Sequence, residues 1–333
     1  MFPLNFQNLS LKYYNKPAYD DYSKMCLTNG MTMNSYDLCL TWNWEYDADF
    51  VKLLDLACKS RGLSLLQITP ENLVDMIQSF GNEEITFRAF FDRAADADPR
   101  FIPIAEKACH HAIHHINSHE LACRAWDKVA MHQAISVHMD TPFTLILPSF
   151  DEQPLLSAID LASLGERFII KPAYGGGGDG VIIEATSLNQ VLIARQQFPA
   201  QRYLLQAHVI PARLGSRMAW FRVIYCTGKV HPCWWDNCTH IYAPVIPDEE
   251  TCYHLGSLRS ITSSIARMCG LELFSTEITL TPEGRFVIVD YVNDPIDLRL
   301  QSKAFDGVPD DMVRDITERL AELVLTHSLP SKT

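Results

Sequence analysis

Four consecutive glycines, Gly175–Gly178, stand between two short apolar runs, Phe168–Lys171 and Val181–Ile183. Apolar, β-branched runs of this length predict strands, so the glycines predict a loop that joins two neighbouring strands. Because such a loop has no side chains, its backbone N–H groups can approach a polyphosphate closely. A glycine hairpin without any ligand is the other interpretation of the same segment.

The spacing Gly175-x-Gly177-x-x-Gly180 also satisfies the dinucleotide-binding pattern. That pattern has to open a helix, whereas here it continues into a predicted strand, so the dinucleotide interpretation is excluded. Protein kinases are one class that covers phosphates with a glycine flap. The sequence contains neither a His-Arg-Asp nor an Asp-Phe-Gly triplet, so a protein kinase is disfavoured. Lys171, at the end of the incoming strand, would bring an ammonium group to phosphates under the flap.

The overall charge limits the partners of the chain. Its 333 residues include 40 acidic and 28 basic side chains, which gives a formal net charge of −12. Such a field repels phosphate backbones and argues against nucleic-acid binding. The ten cysteines form no C-x-x-C pair, and no run is long and apolar enough to span a bilayer. We therefore expect a protein of the cytoplasm, without membrane or nucleic-acid partners.

Alternating strands and helices predict a small parallel α/β domain over residues 37–117, preceded by an extension over residues 1–36. A single helix is predicted for Ser118–Gln133, and a β-rich part follows. Residues 118–330 are therefore expected to form a second, α+β domain, in which residues 165–210 carry the glycine flap.

A candidate metal site lies near the C-terminus. Glu277 and Asp290 fall on two predicted strands that the turn Thr281–Gly284 joins, and Asn293 follows. Paired carboxylates among apolar residues are costly unless a cation lies between them. Nucleotide-bound Mg²⁺ suits them, since it prefers oxygen ligands and needs few from the protein. Two acidic residues on the surface of a hairpin are the alternative.

Taken in order, these segments resemble the ATP-grasp superfamily over about residues 37–325. The resemblance implies an ATP-grasp fold with an N-terminal Rossmann-like pre-ATP-grasp domain, with ATP and one or two Mg²⁺ (or Mn²⁺) as cofactors. It assigns Lys128 and Lys171 to the phosphates, Gly175, Gly176, Gly177 and Gly178 to the flap, and Gln206, Ala207, His208 and Val209 to the adenine hinge. Arg222 would reach the γ-phosphate or the acyl phosphate, and Glu277, Asp290 and Asn293 would bind the metal.

Two positions depart from the family pattern. Ala207 stands where a hinge glutamate is common. Two residues rather than one separate Asp290 from Asn293. A bulge would restore the geometry; otherwise Asn293 is not a ligand, and Asp294 or Asp297 could replace it.

The resemblance implies a ligase that joins the carboxylate of a small molecule or peptide to an amine, or to a thiol, through an acyl phosphate. Arg299 would hold a substrate carboxylate, although a solvated basic face explains it equally well. A small-molecule kinase of the same fold, and a nucleotide-binding regulatory protein without catalysis, stay open as alternatives. A homodimer is compatible with all three of these functions.

Overall fold

The computed structural model describes residues 33–109, 111, 113–156 and 159–328. Most of the extension predicted for residues 1–36 lies outside the described residues. Residues 34–36 already belong to the first strand, which begins three residues before the predicted Asp37.

The N-terminal part is a parallel sheet with helices between its strands, as the alternating sequence pattern predicts. The strands are β1 (Asn34–Trp42), β2 (Leu65–Ile68), β3 (Ile85–Arg93) and β4 (His114–Ile116), in the spatial order β2-β1-β3-β4. The helices are α1 (Ala48–Ser60), α2 (Leu73–Gly81) and α3 (Ile102–Cys109). Strands of a parallel sheet end together, so the loops after β1, β3 and β4 meet at one edge.

The single helix predicted for Ser118–Gln133 is wrong. The structure has two helices, α4 (His119–Trp126) and α5 (Lys128–Ile135), which Asp127 separates. The Asp127 backbone is extended (φ −73°, ψ 96°), and its carboxylate accepts hydrogen bonds from the N–H groups of Val129 and Ala130. An aspartate that caps a helix in this way competes with continuation of the preceding helix. Lys128 is consequently the first residue of α5.

The flap belongs to an antiparallel sheet in the order β5-β8-β6-β7. Its strands are β5 (Thr144–Leu147), β6 (Phe168–Pro172), β7 (Ile182–Ala185) and β8 (Tyr203–Ala207), and helix α6 (Leu188–Gln197) packs on it. A short 3₁₀ helix, Leu161–Leu164, precedes β6.

The third sheet is antiparallel, in the order β13-β12-β11-β14-β15. Its strands are β11 (Trp220–Cys226), β12 (Lys229–Trp235), β13 (Tyr242–Pro244), β14 (Leu273–Leu280) and β15 (Phe286–Asn293). The short strands β9 (Arg213–Leu214) and β10 (Arg217–Met218) pair before it, and the remaining helices are α7 (Pro247–Cys252), α8 (Ser257–Cys269) and α9 (Asp310–Ser328).

This third sheet has apolar cores on both faces. Helices α4, α5 and α8 cover one face, where Phe221, Phe274 and Ile278 are buried. Helix α9 covers part of the other face and packs against α1 as well, so the two ends of the described chain share one core. No described helix has the length and apolar character needed to cross a membrane. The nine cysteines in the described ranges are all free thiols.

Candidate nucleotide and metal site

Three charged residues form one row across three neighbouring strands of the third sheet. Arg222 on β11 lies opposite Glu277 on β14, and Glu277 lies opposite Asp290 on β15. Directly paired residues of antiparallel strands point to the same face. The face carrying this row is the one that α9 covers only in part, because Ile224 and Cys226 of β11 belong to the α9 core.

Contacts within the row hold Glu277 in place. Its Oε1 lies 3.7 Å from Arg222 Nη1, its Oε2 accepts a hydrogen bond of 3.1 Å from Trp220 Nε1, and its side chain is 18% exposed. Burial raises the pKa of the Glu277 carboxyl; Arg222 opposes this shift and Asp290 adds to it. Asp290 contributes to the raised pKa because two neighbouring negative charges repel each other, and a cation between them would relieve this repulsion.

The Arg222 guanidinium is fixed by its surroundings. Its Nε donates to Ser275 Oγ at 3.2 Å, and its Cζ lies 4.9 Å from the ring centre of Trp235. Burial lowers the pKa of Arg222, but Tyr242, Glu277, Asp290 and Asp297 together outweigh burial, so the pKa is raised. Trp220 and Ser275 were not predicted, since a hydrogen-bonding indole and a strand serine carry no pattern of their own.

A bulge in β15 places Asn293 on the same face as Asp290. The register pairs Glu277 with Asp290 and Ser275 with Asn293, so a step of two residues on β14 faces a step of three on β15. In a regular strand, residues three apart point to opposite faces. The extra residue removes that conflict. Asn293 Nδ2 is buried and has no hydrogen-bond partner among the residues that the structure describes.

The donor set suits magnesium better than a metal held by the protein alone. No group of three or more His, Cys, Asp or Glu side chains able to hold a metal occurs in the described ranges. Two carboxylates and one amide on one face are the small set of oxygen ligands with which Mg²⁺ completes its shell from phosphates and water. Rotation of the Asn293 amide by half a turn would present its oxygen where the unpartnered nitrogen now lies.

Asp294 and Asp297, the predicted substitutes, are engaged elsewhere. Asp294 Oδ1 accepts a hydrogen bond of 2.5 Å from Asn117 Nδ2, and burial raises the pKa of Asp294 to about 7. Asp297 holds Arg299 through hydrogen bonds of 2.7 to 3.1 Å. Both carboxylates are therefore less available to a metal ion than the side chains of Asp290 and Asn293.

Both predicted phosphate lysines lie beside the carboxylate row. Lys171 Nζ donates to the backbone oxygen of Val289, next to Asp290, at 2.8 Å. Lys128 Nζ donates to the backbone oxygen of Gly175 in the flap. Burial lowers the pKa of Lys128; Asp290 opposes this shift and Lys171 adds to it. The structure therefore brings together five residues that lie far apart in the sequence: Lys128, Lys171, Arg222, Glu277 and Asp290.

Asp127 ties the base of the flap to helix α5, a role that the sequence did not predict. Besides capping α5, its Oδ2 accepts hydrogen bonds from Arg202 Nη2 at 2.7 Å and from the Tyr174 hydroxyl at 3.4 Å. Tyr174 directly precedes the four glycines. One carboxylate therefore fixes the start of the flap relative to Lys128.

The flap glycines are needed for their backbone conformation. Gly175, Gly177 and Gly178 have φ values of 134°, 61° and 82°, and Gly176 lies outside the positive region. A Cβ atom on Gly176, Gly177 or Gly178 would meet no atom within 4 Å. A side chain would strain the backbone at Gly177 and Gly178 but not at Gly176.

The predicted hinge is the end of β8 and the loop after it. Ala207 N–H donates to the backbone oxygen of Phe143, and exposed His208 contacts the backbone oxygen of Ile183 through Nε2 at 2.7 Å. Val209 is partly exposed. Gln206 differs from the prediction of a nucleotide contact, because its side chain is 1% exposed and bonds to the Tyr291 hydroxyl. Only the backbone of Gln206 is left to contribute to the predicted hinge.

Arg299 is paired with two carboxylates of its own segment. Its guanidinium bonds to Asp297 and Asp306, and its Cζ lies 5.6 Å from the ring centre of Trp44. Hydrogen bonds to Asp297 raise the pKa of Arg299 above its usual value. Two carboxylates already neutralise this arginine, so it is poorly suited to bind a further carboxylate.

The segment after β15 is anchored to the N-terminal sheet. Arg93, at the end of β3, makes two hydrogen bonds of 2.9 and 2.7 Å to Asp47 and one of 2.9 Å to the backbone oxygen of Ile296. The side chains of Arg93 and Asp47 are each 2% exposed. This buried ion pair connects the edge of the parallel sheet to the strand that carries Asp290 and Asn293.

Comparison with known proteins gives structural relatives only. No family model matches the chain, and no curated protein matches its sequence. Among solved structures, an RimK domain ATP-grasp protein from Sphaerobacter thermophilus is similar, at 17% identity and a TM-score of 0.60 over 86% of this chain and 99% of that chain.

Two further similar structures are ligases. The ATP-grasp ligase PsnB, complexed with a minimal precursor, Mg and ADP, is 13% identical, with a TM-score of 0.58 over 87% of this chain and 98% of that chain. The D-cycloserine synthetase DcsG is 16% identical, with a TM-score of 0.57 over 86% of this chain and 99% of that chain.

Proposed function

Because the chain has the ATP-grasp fold, we propose that it is an ATP- and magnesium-dependent ligase that joins a carboxylate to an amine through an acyl phosphate. The observation that carries the proposal is the row Arg222–Glu277–Asp290 beside Lys128 and Lys171. Three cations surround two carboxylates, as the site of a metal–polyphosphate complex requires.

In the proposed reaction, Lys128 and Lys171 hold the phosphates beneath the flap, and Ala207 to Val209 pair with adenine through their backbone. Magnesium held by Glu277, Asp290 and Asn293 would neutralise charge on the phosphates. Arg222, fixed by Ser275 and Trp235, would stabilise the negative charge on the transferred phosphoryl group.

The proposed reaction needs no nucleophile from the protein. An oxygen of the substrate carboxylate attacks the γ-phosphorus, the bond to the bridging oxygen breaks, and ADP leaves with the electron pair. The amine nitrogen then attacks the acyl carbon and phosphate leaves, while the nitrogen loses its proton to solvent or to a base. The closed flap keeps water from the acyl phosphate.

In this proposal, residues 37–117 act as the Rossmann-like pre-ATP-grasp domain and residues 118–330 as the ATP-grasp domain, with residues 165–210 as the flap subdomain. The acceptor would enter at the edge where the parallel strands end, next to the anchored segment that follows β15. PsnB was solved with a precursor peptide and DcsG is a D-cycloserine synthetase, so both peptides and amino-acid-like molecules are substrates to test.

A turnover assay tests the proposal. The chain is incubated with ATP, Mg²⁺ and pools of amino acids or peptides, and hydroxylamine is added to trap the acyl group. We expect ADP and phosphate in equal amounts, together with a hydroxamate. Phosphate found on the acceptor with none released would indicate a kinase, and ATP binding without turnover in any pool would indicate a regulatory protein. Asp290→Asn is the matched inactive control.

A further inference from the structure

Three buried polar side chains form a chain of hydrogen bonds behind the candidate site. The Tyr291 hydroxyl lies 2.6 Å from His132 Nδ1 and accepts a hydrogen bond of 2.9 Å from Gln206 Nε2. Gln206 also reaches Thr144 Oγ1 at 3.2 Å. Tyr291, His132 and Gln206 are 2%, 8% and 1% exposed, so water does not replace these contacts.

Each member of this relay, His132–Tyr291–Gln206, stands beside a different part of the site. Tyr291 follows Asp290 inside the bulged stretch of β15. Gln206 precedes Ala207 at the adenine hinge. His132 lies on α5 four residues after Lys128, and therefore on the same side of the helix. The relay connects three elements that are far apart in the sequence and that share the nucleotide site.

A neutral histidine suits the relay. Burial lowers the pKa of His132, which favours the neutral imidazole, in which one nitrogen can accept a hydrogen bond. In the tautomer with the His132 proton on Nε2, the Tyr291 hydroxyl donates its single proton to Nδ1 while its oxygen accepts from Gln206. Removing any member leaves a buried polar group without its hydrogen-bond partner, which weakens the connection between the three elements.

We propose that this relay is a positioning device that couples adenine binding at the hinge to metal binding on β15. Inside the bulge, the backbone around Asp290 has lost part of its regular ladder to β14. The relay supplies a replacement contact, since it fixes the side chain next to Asp290 to the hinge strand and to the lysine helix. A base that orders the hinge thereby also orders the metal ligands. The inference rests on the function proposed above.

The coupling can be measured by binding alone. The affinities of ATP and of inorganic tripolyphosphate, which has no base, are each determined by calorimetry with and without Mg²⁺. In the wild-type protein, Mg²⁺ should strengthen the binding of ATP by a factor about tenfold larger than for tripolyphosphate, within the usual range of coupling between sites. Tyr291→Phe, which removes one oxygen atom, should bring the two factors to within about twofold of each other.

Two further variants separate coupling from stability. Tyr225→Phe removes the same hydroxyl from a half-buried tyrosine of β11 that contacts Phe274, and it should behave as the wild type. Gln206→Met removes the hydrogen bond between Gln206 and Tyr291 and should repeat the effect of Tyr291→Phe. It therefore tests the relay even if the Tyr291→Phe protein does not fold.

Folded Tyr291→Phe and Gln206→Met proteins that keep the wild-type difference between ATP and tripolyphosphate would overturn the relay alone. A wild-type protein that binds ATP no better with Mg²⁺ than without it would overturn the proposed function, and the relay with it.

Discussion

Asp290 lies directly across the β14–β15 ladder from Glu277, and both carboxylates point to the face that carries Arg222. Arg222 lies in the row itself, and Lys128 and Lys171 lie beside it. Despite these cations the pKa of Glu277 is raised; burial contributes most to this shift and Asp290 adds to it. A cation bound between the two carboxylates would remove this repulsion.

Asp290→Asn should reduce the affinity of the protein for the nucleotide without a large loss of stability. Removing one of two opposed charges relieves repulsion from Glu277, but it also removes attraction to Lys128 and Arg222, while the metal loses a charged ligand. We expect a midpoint of thermal unfolding close to that of the wild type and a loss of at least about tenfold in Mg²⁺-dependent ATP affinity. Asp311→Asn, a substitution of an exposed aspartate on α9, serves as the control. An Asp290→Asn protein with the wild-type Mg²⁺-dependent affinity would contradict this account of the row.

Gly178→Ala and Gly176→Ala form a matched pair in the flap. Neither new methyl group would contact another atom, but Gly178 has a φ of 82° and Gly176 lies outside the positive region. The left-handed backbone costs a residue with a Cβ about 1–2 kcal/mol. We predict that Gly178→Ala weakens ATP binding by about tenfold and that Gly176→Ala weakens it less. Equal losses in the two variants would show that backbone strain is not what makes these glycines necessary.

Arg93→Met should be among the most destabilising substitutions in the chain. It leaves the Asp47 carboxylate buried without its partner and frees the Ile296 backbone oxygen. Breaking a buried ion pair from one side costs about 3–5 kcal/mol. Chemical denaturation measures the loss, and Asp47→Leu combined with Arg93→Met should recover much of it because no buried charge is left. A double variant as unstable as the single one would contradict this explanation.

His231 predicts a pH dependence of stability. Burial lowers its pKa to about 4, with Lys229 and Arg319 adding to the shift and Asp315 opposing it. The unfolded chain takes up a proton near pH 6.5 and the folded chain only near pH 4, so the contribution of this neutral histidine is complete above pH 6.5 and lost as the pH falls towards 4.

In the pH range from 6.5 to 4, the free energy of unfolding of the wild type should fall relative to that of His231→Gln by about 1 kcal/mol per pH unit. Titrations that the two proteins share cancel in this difference, which denaturant unfolding at several pH values measures. Parallel curves would mean that His231 titrates alike in the folded and unfolded chain.

Local sequence patterns predicted most of the secondary structure and the pairing of Glu277 with Asp290. The turn Thr281–Gly284 fixes that hairpin, and the glycines mark the flap. These local patterns did not predict that Asp127 separates two helices. Apolar residues on both sides of it continue a helical pattern, and only the capping hydrogen bonds of Asp127 show that a second helix begins there. The sequence also did not decide towards which face of the sheet Asn293 points, because one inserted residue reverses the direction of every following side chain.

Contacts between distant residues were the least predictable. Asp306 neutralises Arg299, and Tyr291 engages Gln206, which turns a predicted nucleotide contact into a buried support. Neither partner stands in a motif. Their roles arise only when separate sheets pack together, and a sequence pattern records spacing along the chain rather than that packing.

We propose that Lys171 and the Glu277–Asp290 pair together bind a magnesium–ATP complex. Calorimetric titration of ATP into the wild-type, Lys171→Ala and Asp290→Asn proteins, each with Mg²⁺ and with a chelator, tests it most directly. The account predicts binding by the wild type that depends on Mg²⁺, a loss of affinity in Lys171→Ala under both conditions, and a loss of the Mg²⁺ dependence in Asp290→Asn. Unchanged affinity in Lys171→Ala, or wild-type binding that is indifferent to Mg²⁺, would contradict it.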